Sequence, residues 1–125
     1  MVNNYDSVTF QKTKRFAVKI IRFANALITE KKEYIISRQV LRSGTAIGAN
    51  TRESWNAQSK ADFINKLSIA LKEADETLYW LEILVESDTI SHACFNELSI
   101  DLKEIIALLT ASIKTAKTNL NKEKQ

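Results

Sequence analysis

The feature that most constrains this chain is its near-total lack of helix-breaking residues. The 125 residues include no proline, and both glycines lie in one segment, Leu41 to Ser54, which reads LRSGTAIGANTRES. Proline interrupts helices, and glycine costs a helix about 0.5–1 kcal/mol relative to alanine. The rest of the chain is therefore free to form long helices. The two glycines, four residues apart inside a helical pattern, need a structural reason.

Apolar residues recur at spacings of three and four along four segments, which is the pattern of amphipathic helices. The predicted helices span residues 8–29, 34–55, 60–87 and 92–118. Ser7 is the expected N-cap of the first helix, and Ser59, with Asp62 three residues later, is the expected start of the third. The final residues, NKEKQ, are expected to fray.

The turns between these helices are short enough to allow only antiparallel neighbours. We therefore predict an all-α fold, an antiparallel up-down-up-down four-helix bundle, as a single domain over residues 1–125. The lone Cys94 cannot form an internal disulfide, the first residues lack the apolar run of a signal peptide, and no window approaches the roughly 20 apolar residues of a membrane span. These features predict a cytoplasmic protein that does not enter a membrane.

In a helix, Gly44 and Gly48 lie one turn apart on the same face, where a neighbouring backbone can approach closely. The neighbour is either another helix of the same chain or a second subunit, and Asn50 and Trp80 are grouped with this site of close packing or oligomer contact. The helices also carry apolar residues outside their main stripes, which form either a wide core or an interface. These residues are Phe16, Phe23, Ile35, Ile64, Ile69, Tyr79, Trp80, Ile83, Ile100 and Leu108. We expect a homo-oligomer.

Positive charge is concentrated in the first half of the chain. Residues 1–60 hold eleven Lys or Arg against four Asp or Glu, and residues 61–125 hold seven against eleven. In the first helix Lys12, Arg15, Lys19 and Arg22 form one row, with Lys14 beside it. This row is either neutralised by carboxylates of helix 3 or 4, such as Glu73, Glu76, Glu82 and Glu86, or it contacts the phosphates of a nucleic acid. The candidate nucleic-acid-binding residues are Lys12, Lys14, Arg15, Lys19, Arg22, Arg42 and Arg52.

The sequence does not supply the residues of an active site. Metal sites in helical bundles use several carboxylates together with Glu-x-x-His motifs, and the only histidine, His92, has no such glutamate. Cys94 has only His92 near it, two residues away and so on another side of a helix. No glycine-rich phosphate loop is present. We predict no catalytic residues, no metal and no cofactor.

Two stretches, LRSGTAIGANTRES and AQSKADFINKLSIALKEADETLYWLEIL, resemble the four-helix bundle proteins encoded by intervening sequences in bacterial 23S rRNA genes. The resemblance covers Phe16 to about Ile113. The residues that carry it are Arg42, Ser43, Ile47, Asn50, Ser59, Asp62, Phe63, Leu67, Ala70, Glu73, Glu76, Thr77, Tyr79, Trp80 and Leu81.

The resemblance implies a four-helix bundle that often assembles into a ring of five subunits. It also implies a relationship to the basic accessory protein of diversity-generating retroelements, which works with a reverse transcriptase and RNA. Together with the basic row, this favours a non-catalytic bundle that binds RNA or another nucleic acid electrostatically, with weak sequence specificity and strong salt dependence. The alternative is a scaffold for another protein, which would use the acidic face of helix 3 or the additional apolar residues.

Overall fold

The computed structural model describes residues 7–124, which form four long helices and no β-strand. These are α1 (Val8–Lys31), α2 (Ile36–Glu53), α3 (Lys60–Glu86) and α4 (His92–Lys124), and one 3₁₀ turn, Ser54–Asn56, follows α2. Each helix packs against the next along the chain, and α4 also packs against α1, which closes the bundle. The predicted all-α four-helix bundle with antiparallel neighbours is confirmed.

Local hydrogen bonds account for where the helices begin. The Ser7 hydroxyl accepts from the Phe10 amide at 3.1 Å, and the Ser59 hydroxyl accepts from the Asp62 amide at 3.0 Å, so both predicted N-caps are present. The Asp62 carboxylate accepts from the amide of Gln58, one residue before the cap. The α2 helix starts without an N-cap side chain from Ile35. Instead, the Glu33 carboxylate accepts from the Ser37 amide at 2.8 Å.

The boundaries differ from the sequence prediction mainly at the ends of α2 and α4. The α2 helix is shorter than predicted because Ser54–Asn56 tightens into the 3₁₀ turn. The α4 helix continues to Lys124, past the predicted end at residue 118 and through most of the segment expected to fray. Within the additional turns, Leu120 packs against the core and Glu123 pairs with Lys60 at the start of α3.

Gly44 and Gly48 face α1 of the same subunit. A Cβ atom at Gly44 would lie 2.8 Å from Cγ2 of Ile20, and one at Gly48 would lie 3.1 Å from Oγ1 of Thr13. Ile20 and Thr13 are both fully buried. The glycines therefore permit a close crossing of α1 and α2 inside the bundle.

Most of the apolar residues outside the main stripes belong to a wide core. Phe16 and Ile64 are buried, and Phe23 and Trp80 pack against the buried cluster. Ile69, Ile83 and Leu108 are half-buried. Only Ile35, Tyr79 and Ile100 of the set are largely exposed. One bundle thus hides more apolar surface than four narrow stripes would suggest.

Candidate nucleic-acid interface

The basic row of α1 lies along its edge with α4. Thr13, Phe16 and Ile20 point into the core, and this fixes the direction of the residues between them. At helical spacing, Lys12 and Lys19 lie on the side of α1 that meets α4, and Arg15 and Arg22 lie further out towards solvent. Lys14 lies on the other side of α1, towards α2.

Two lysines of the row are paired with α4. Lys12 Nζ lies 2.6 Å from Oε1 of Glu104, and Lys19 Nζ lies 2.6 Å from Oδ2 of Asp101. The hydrogen bond to Asp101 raises the pKa of Lys19. One alternative from the sequence was that carboxylates of helix 3 or 4 are the partners of the row. The structure places these partners on α4, and they are not among the four glutamates that the sequence analysis named.

Three further basic residues of α1 are exposed, and no carboxylate of the described residues pairs with them. Within residues 7–124, no ion pair involves Lys14, Arg15 or Arg22. Arg15 Nε donates to the main-chain oxygen of Gln11 at 3.4 Å, a weak contact that leaves its charge uncompensated. In this part of the chain, the unpaired positive charge of α1 therefore comes from these three residues and from Lys31 in its last turn.

Arg42 is held by α3 of the same subunit. Its guanidinium donates to Glu73 at 3.0 Å and to Glu76. Glu76 Oε2 also accepts from the indole nitrogen of Trp80 at 3.2 Å. Burial disfavours the charge on Arg42, but the hydrogen bond to Glu76 and the charge of Glu73 outweigh it and raise the pKa of Arg42. Arg42 therefore joins α2 to α3, and its charge is neutralised inside the subunit instead of adding to the positive surface predicted for nucleic acid binding.

Arg52, Asn50 and Trp80 also make contacts inside the subunit. The Arg52 guanidinium carbon lies 6.0 Å from the ring centroids of both Phe10 and Trp55, within range of a cation–π contact. The Asn50 amide donates to the main-chain oxygen of Ala46 at 2.9 Å. The ring of Trp80 meets Tyr79 edge-on at 5.2 Å. These residues do not converge with the α1 row on a single site.

A second basic surface, on the last turns of α4, was missed from the sequence. Lys114, Lys117, Lys122 and Lys124 are exposed, and no carboxylate of residues 7–124 pairs with them. The charge count over residues 61–125 did not reveal these lysines, because the acidic residues of α3 and of the first turns of α4 make the total for that half negative. A count over residues 105–124, which contain these four lysines and one acidic residue, Glu123, identifies them.

The opposite end of the bundle carries an open depression of about 620 Å³ between the end of α1 and the turn joining α3 to α4. Cys94 lines it, and burial, with a smaller effect from Glu97, raises the pKa of this thiol. No three His, Cys, Asp or Glu side chains of the described residues are grouped as metal ligands. None of the helices within residues 7–124 is long and apolar enough to cross a membrane.

The comparisons with known proteins agree on one family. The family model described as 23S rRNA-intervening sequence protein matches residues 5–111. A crystal structure of a protein with unknown function from the S23 ribosomal protein family of Bacteroides thetaiotaomicron VPI-5482 is 50% identical in sequence, with a TM-score of 0.85. The match covers 86% of this chain and 99% of that one. No curated protein matches the chain.

Proposed function

Because the chain belongs to the 23S rRNA-intervening sequence protein family, we propose that it is a non-catalytic, homo-oligomeric four-helix bundle that binds nucleic acid, with RNA as the expected partner. The contacts are electrostatic and go to phosphates rather than to bases. The choice of RNA over DNA rests on the resemblance to the accessory protein of diversity-generating retroelements, which works with a reverse transcriptase and RNA. The assembly we propose is a ring of five subunits in the cytoplasm, and the relationship to the accessory protein of diversity-generating retroelements is part of the same proposal.

The single observation that carries this proposal is the exposed, unneutralised charge of α1. Arg15 and Arg22 are seven residues apart on one side of the helix, which places them about 10 Å apart along its axis. Arginine suits such contacts because its planar guanidinium can donate two hydrogen bonds to one phosphate. Repeating the pair in every subunit would multiply contacts that are individually weak.

The ion-paired lysines can support the same contact. Exposed salt bridges such as Lys12 to Glu104 contribute only about 0–1 kcal/mol, so phosphate can compete for these lysines. Asp101 and Glu104 repel phosphate at the same edge, however, and limit the gain. Arg15 and Arg22 are therefore expected to matter more than Lys12 and Lys19.

The test is to neutralise this pair and measure RNA binding across a salt series. We expect Arg15→Gln with Arg22→Gln to weaken the binding of a labelled RNA duplex by about ten-fold and to lower the slope of log K against log salt by about 2. The matched control is Arg38→Gln with Lys72→Gln, which removes the same charge from exposed, unpaired residues of α2 and α3. Equal losses of RNA affinity in both variants would show that binding depends on the net charge of the protein and not on the positions of Arg15 and Arg22. Absence of binding by the unmodified protein at low salt would refute the proposal.

A second candidate function is a contact with a basic protein, and one feature of α3 favours it. Asp75, Tyr79, Glu82 and Glu86 follow one another at spacings of four, three and four, and all are exposed. None of these carboxylates takes part in an ion pair with residues 7–124. Capture of a partner that survives nuclease treatment and is lost with Glu82→Gln and Glu86→Gln would support this function in place of RNA binding.

A further inference from the structure

The last turns of α4 combine a buried apolar side with an exposed basic side. Ile113 is buried, and Ala116 and Leu120 pack against the core. Lys114, Lys117 and Lys124 are exposed and spaced three and seven residues apart, which places them within about 80° of one another around the helix and over about 15 Å of its axis. The result is a basic surface on a helix that Ile113, Ala116 and Leu120 hold against the bundle.

Negative charge does not balance this surface. Glu123 is the only acidic residue between residues 105 and 124, and its carboxylate pairs with Lys60 at the start of α3. Lys114, Lys117 and Lys124 have no ion-pair partner in the part of the chain that the structure describes. A row of like charges on one helix face is unfavourable by itself, so an external anion would stabilise it.

The basic surface differs in position from the α1 row. Asp101 and Glu104 mark the side of α4 that faces α1. At 100° per residue, Lys117 and Lys124 lie on the far side of α4 from that pair. The two basic surfaces therefore face different directions, and one does not extend the other.

The basic surface also lies outside the residues that the family model matches. The family model ends at residue 111, before the first of these lysines. Nearly all of the Bacteroides structure aligns with only 86% of this chain, so this chain contains residues with no counterpart there.

We propose that Lys114, Lys117 and Lys124 form a second, independent contact surface for a nucleic acid backbone. This inference rests on the proposed function, because it assigns a further surface to the same ligand. The chemistry favours phosphates over a lipid surface, since Ile113, Ala116 and Leu120 are committed to the core and cannot insert into a bilayer. Aromatic residues are absent from residues 112–124, so the surface has no side chain for base stacking and contacts the backbone alone.

The experiment compares three variants for binding to a labelled RNA duplex by fluorescence anisotropy at several salt concentrations. The first is Lys114→Gln, Lys117→Gln and Lys124→Gln. The second is the α1 pair, Arg15→Gln and Arg22→Gln. The control removes the same charge as the first from exposed, unpaired positions: Lys31→Gln, Arg38→Gln and Lys72→Gln. Circular dichroism checks that every variant stays helical.

We expect the α4 variant to bind the RNA duplex at least about ten-fold more weakly and to lower the slope of log K against log salt by about 3. The control should change both quantities much less. Full-strength binding by the α4 variant, with weakened binding by the α1 variant, would overturn this inference and leave the proposed function intact. If the unmodified protein does not bind RNA, both this inference and the proposed function are refuted. Lysine-dependent binding to anionic phosphatidylserine vesicles without RNA binding would assign the surface to a membrane and overturn the inference.

Discussion

At the scale of single residues, the distance between α1 and α2 depends on Gly44. Ile20 fills the space that a side chain at Gly44 would need, and Ile20 has no exposed surface through which it could move away. A β-branched side chain in a helix also has one strongly preferred rotamer, so Ile20 cannot easily rotate to make room. Any residue larger than glycine must therefore push the two helices apart.

We predict that Gly44→Ala destabilises the bundle by about 1–2 kcal/mol. Alanine gains up to about 1 kcal/mol in helix propensity, but overpacking a rigid core contact costs about 1–3 kcal/mol, and the contact of 2.8 Å places this site at the upper end. The measurement is the free energy of unfolding in urea. Gly48→Ala, where the closest contact is 3.1 Å, is the internal comparison and should lose less.

A double-mutant cycle with Ile20→Ala identifies the cause. If Cβ of residue 44 meets Ile20, the combined variant loses less stability than the sum of the two single variants. If the stability losses of Gly44→Ala and Ile20→Ala simply add in the combined variant, the strain lies elsewhere. A Gly44→Ala variant that is more stable than the unmodified protein would contradict the close crossing.

The sequence left open both the neighbour of the glycines and the partners of the charged residues. The spacing of Lys12, Arg15, Lys19 and Arg22 correctly places them in one row, because helical periodicity determines direction. Whether each charge is neutralised depends on which residue of α4 lies opposite, and that register follows from core packing rather than from local sequence. Lys12 and Lys19 consequently have α4 partners that the sequence did not single out.

At the scale of secondary-structure elements, local chemistry makes the helices predictable. Ser7 and Ser59 cap α1 and α3 as their sequence context suggests, and the absence of proline leaves each helix uninterrupted. The end of α4 was mispredicted because polar composition alone suggests fraying. Tertiary contacts of Ala116 and Leu120 overrode that tendency, as packing commonly does for helix ends.

The α2 and α3 helices are joined by polar contacts as well as by apolar packing. The Thr77 hydroxyl lies 2.8 Å from the Ser43 hydroxyl in the buried interface, and Arg42 bridges Glu73 and Glu76 at its edge. Without Arg42, two carboxylates three residues apart on α3 would repel each other.

We predict that Arg42→Met lowers the free energy of unfolding by about 0.5–1 kcal/mol at low salt. The figure is modest because the Arg42 side chain is 53% exposed and solvent screens the pair. The loss should shrink as salt is added, since screening weakens the original pair. Arg38→Met, on the same helix but exposed and unpaired, is the matched control and should change little. A loss that does not depend on salt would indicate lost packing of the arginine stem instead.

At the scale of the whole molecule, the exposed apolar residues are unevenly distributed. Most of the apolar residues outside the main helical stripes are buried in the core. Their presence in the sequence is therefore no longer an argument for association between subunits. Val18, Ile21, Tyr34 and Ile35 are each at least 45% exposed and lie on α1 or the turn that follows it. On the other helices the largest exposed apolar side chains are those of Tyr79 and Ile100. If the bundle forms oligomers, the α1 side offers the larger apolar contact.

We predict that the protein is a homo-oligomer in solution, with a mass that is a multiple of the 14.2 kDa chain, and that Ile21→Lys with Ile35→Lys dissociates it. Each substitution places a charge that would have to be desolvated in the contact, whereas both side chains are exposed in the single bundle and tolerate lysine there. Light scattering coupled to gel filtration measures the mass. Ile100→Lys on α4, where the side chain is 66% exposed, is the control. If this control dissociates the protein and the α1 variant does not, subunits associate through α4. A monomeric unmodified protein at micromolar concentration would refute the oligomer and would leave RNA binding to the charges of one bundle alone.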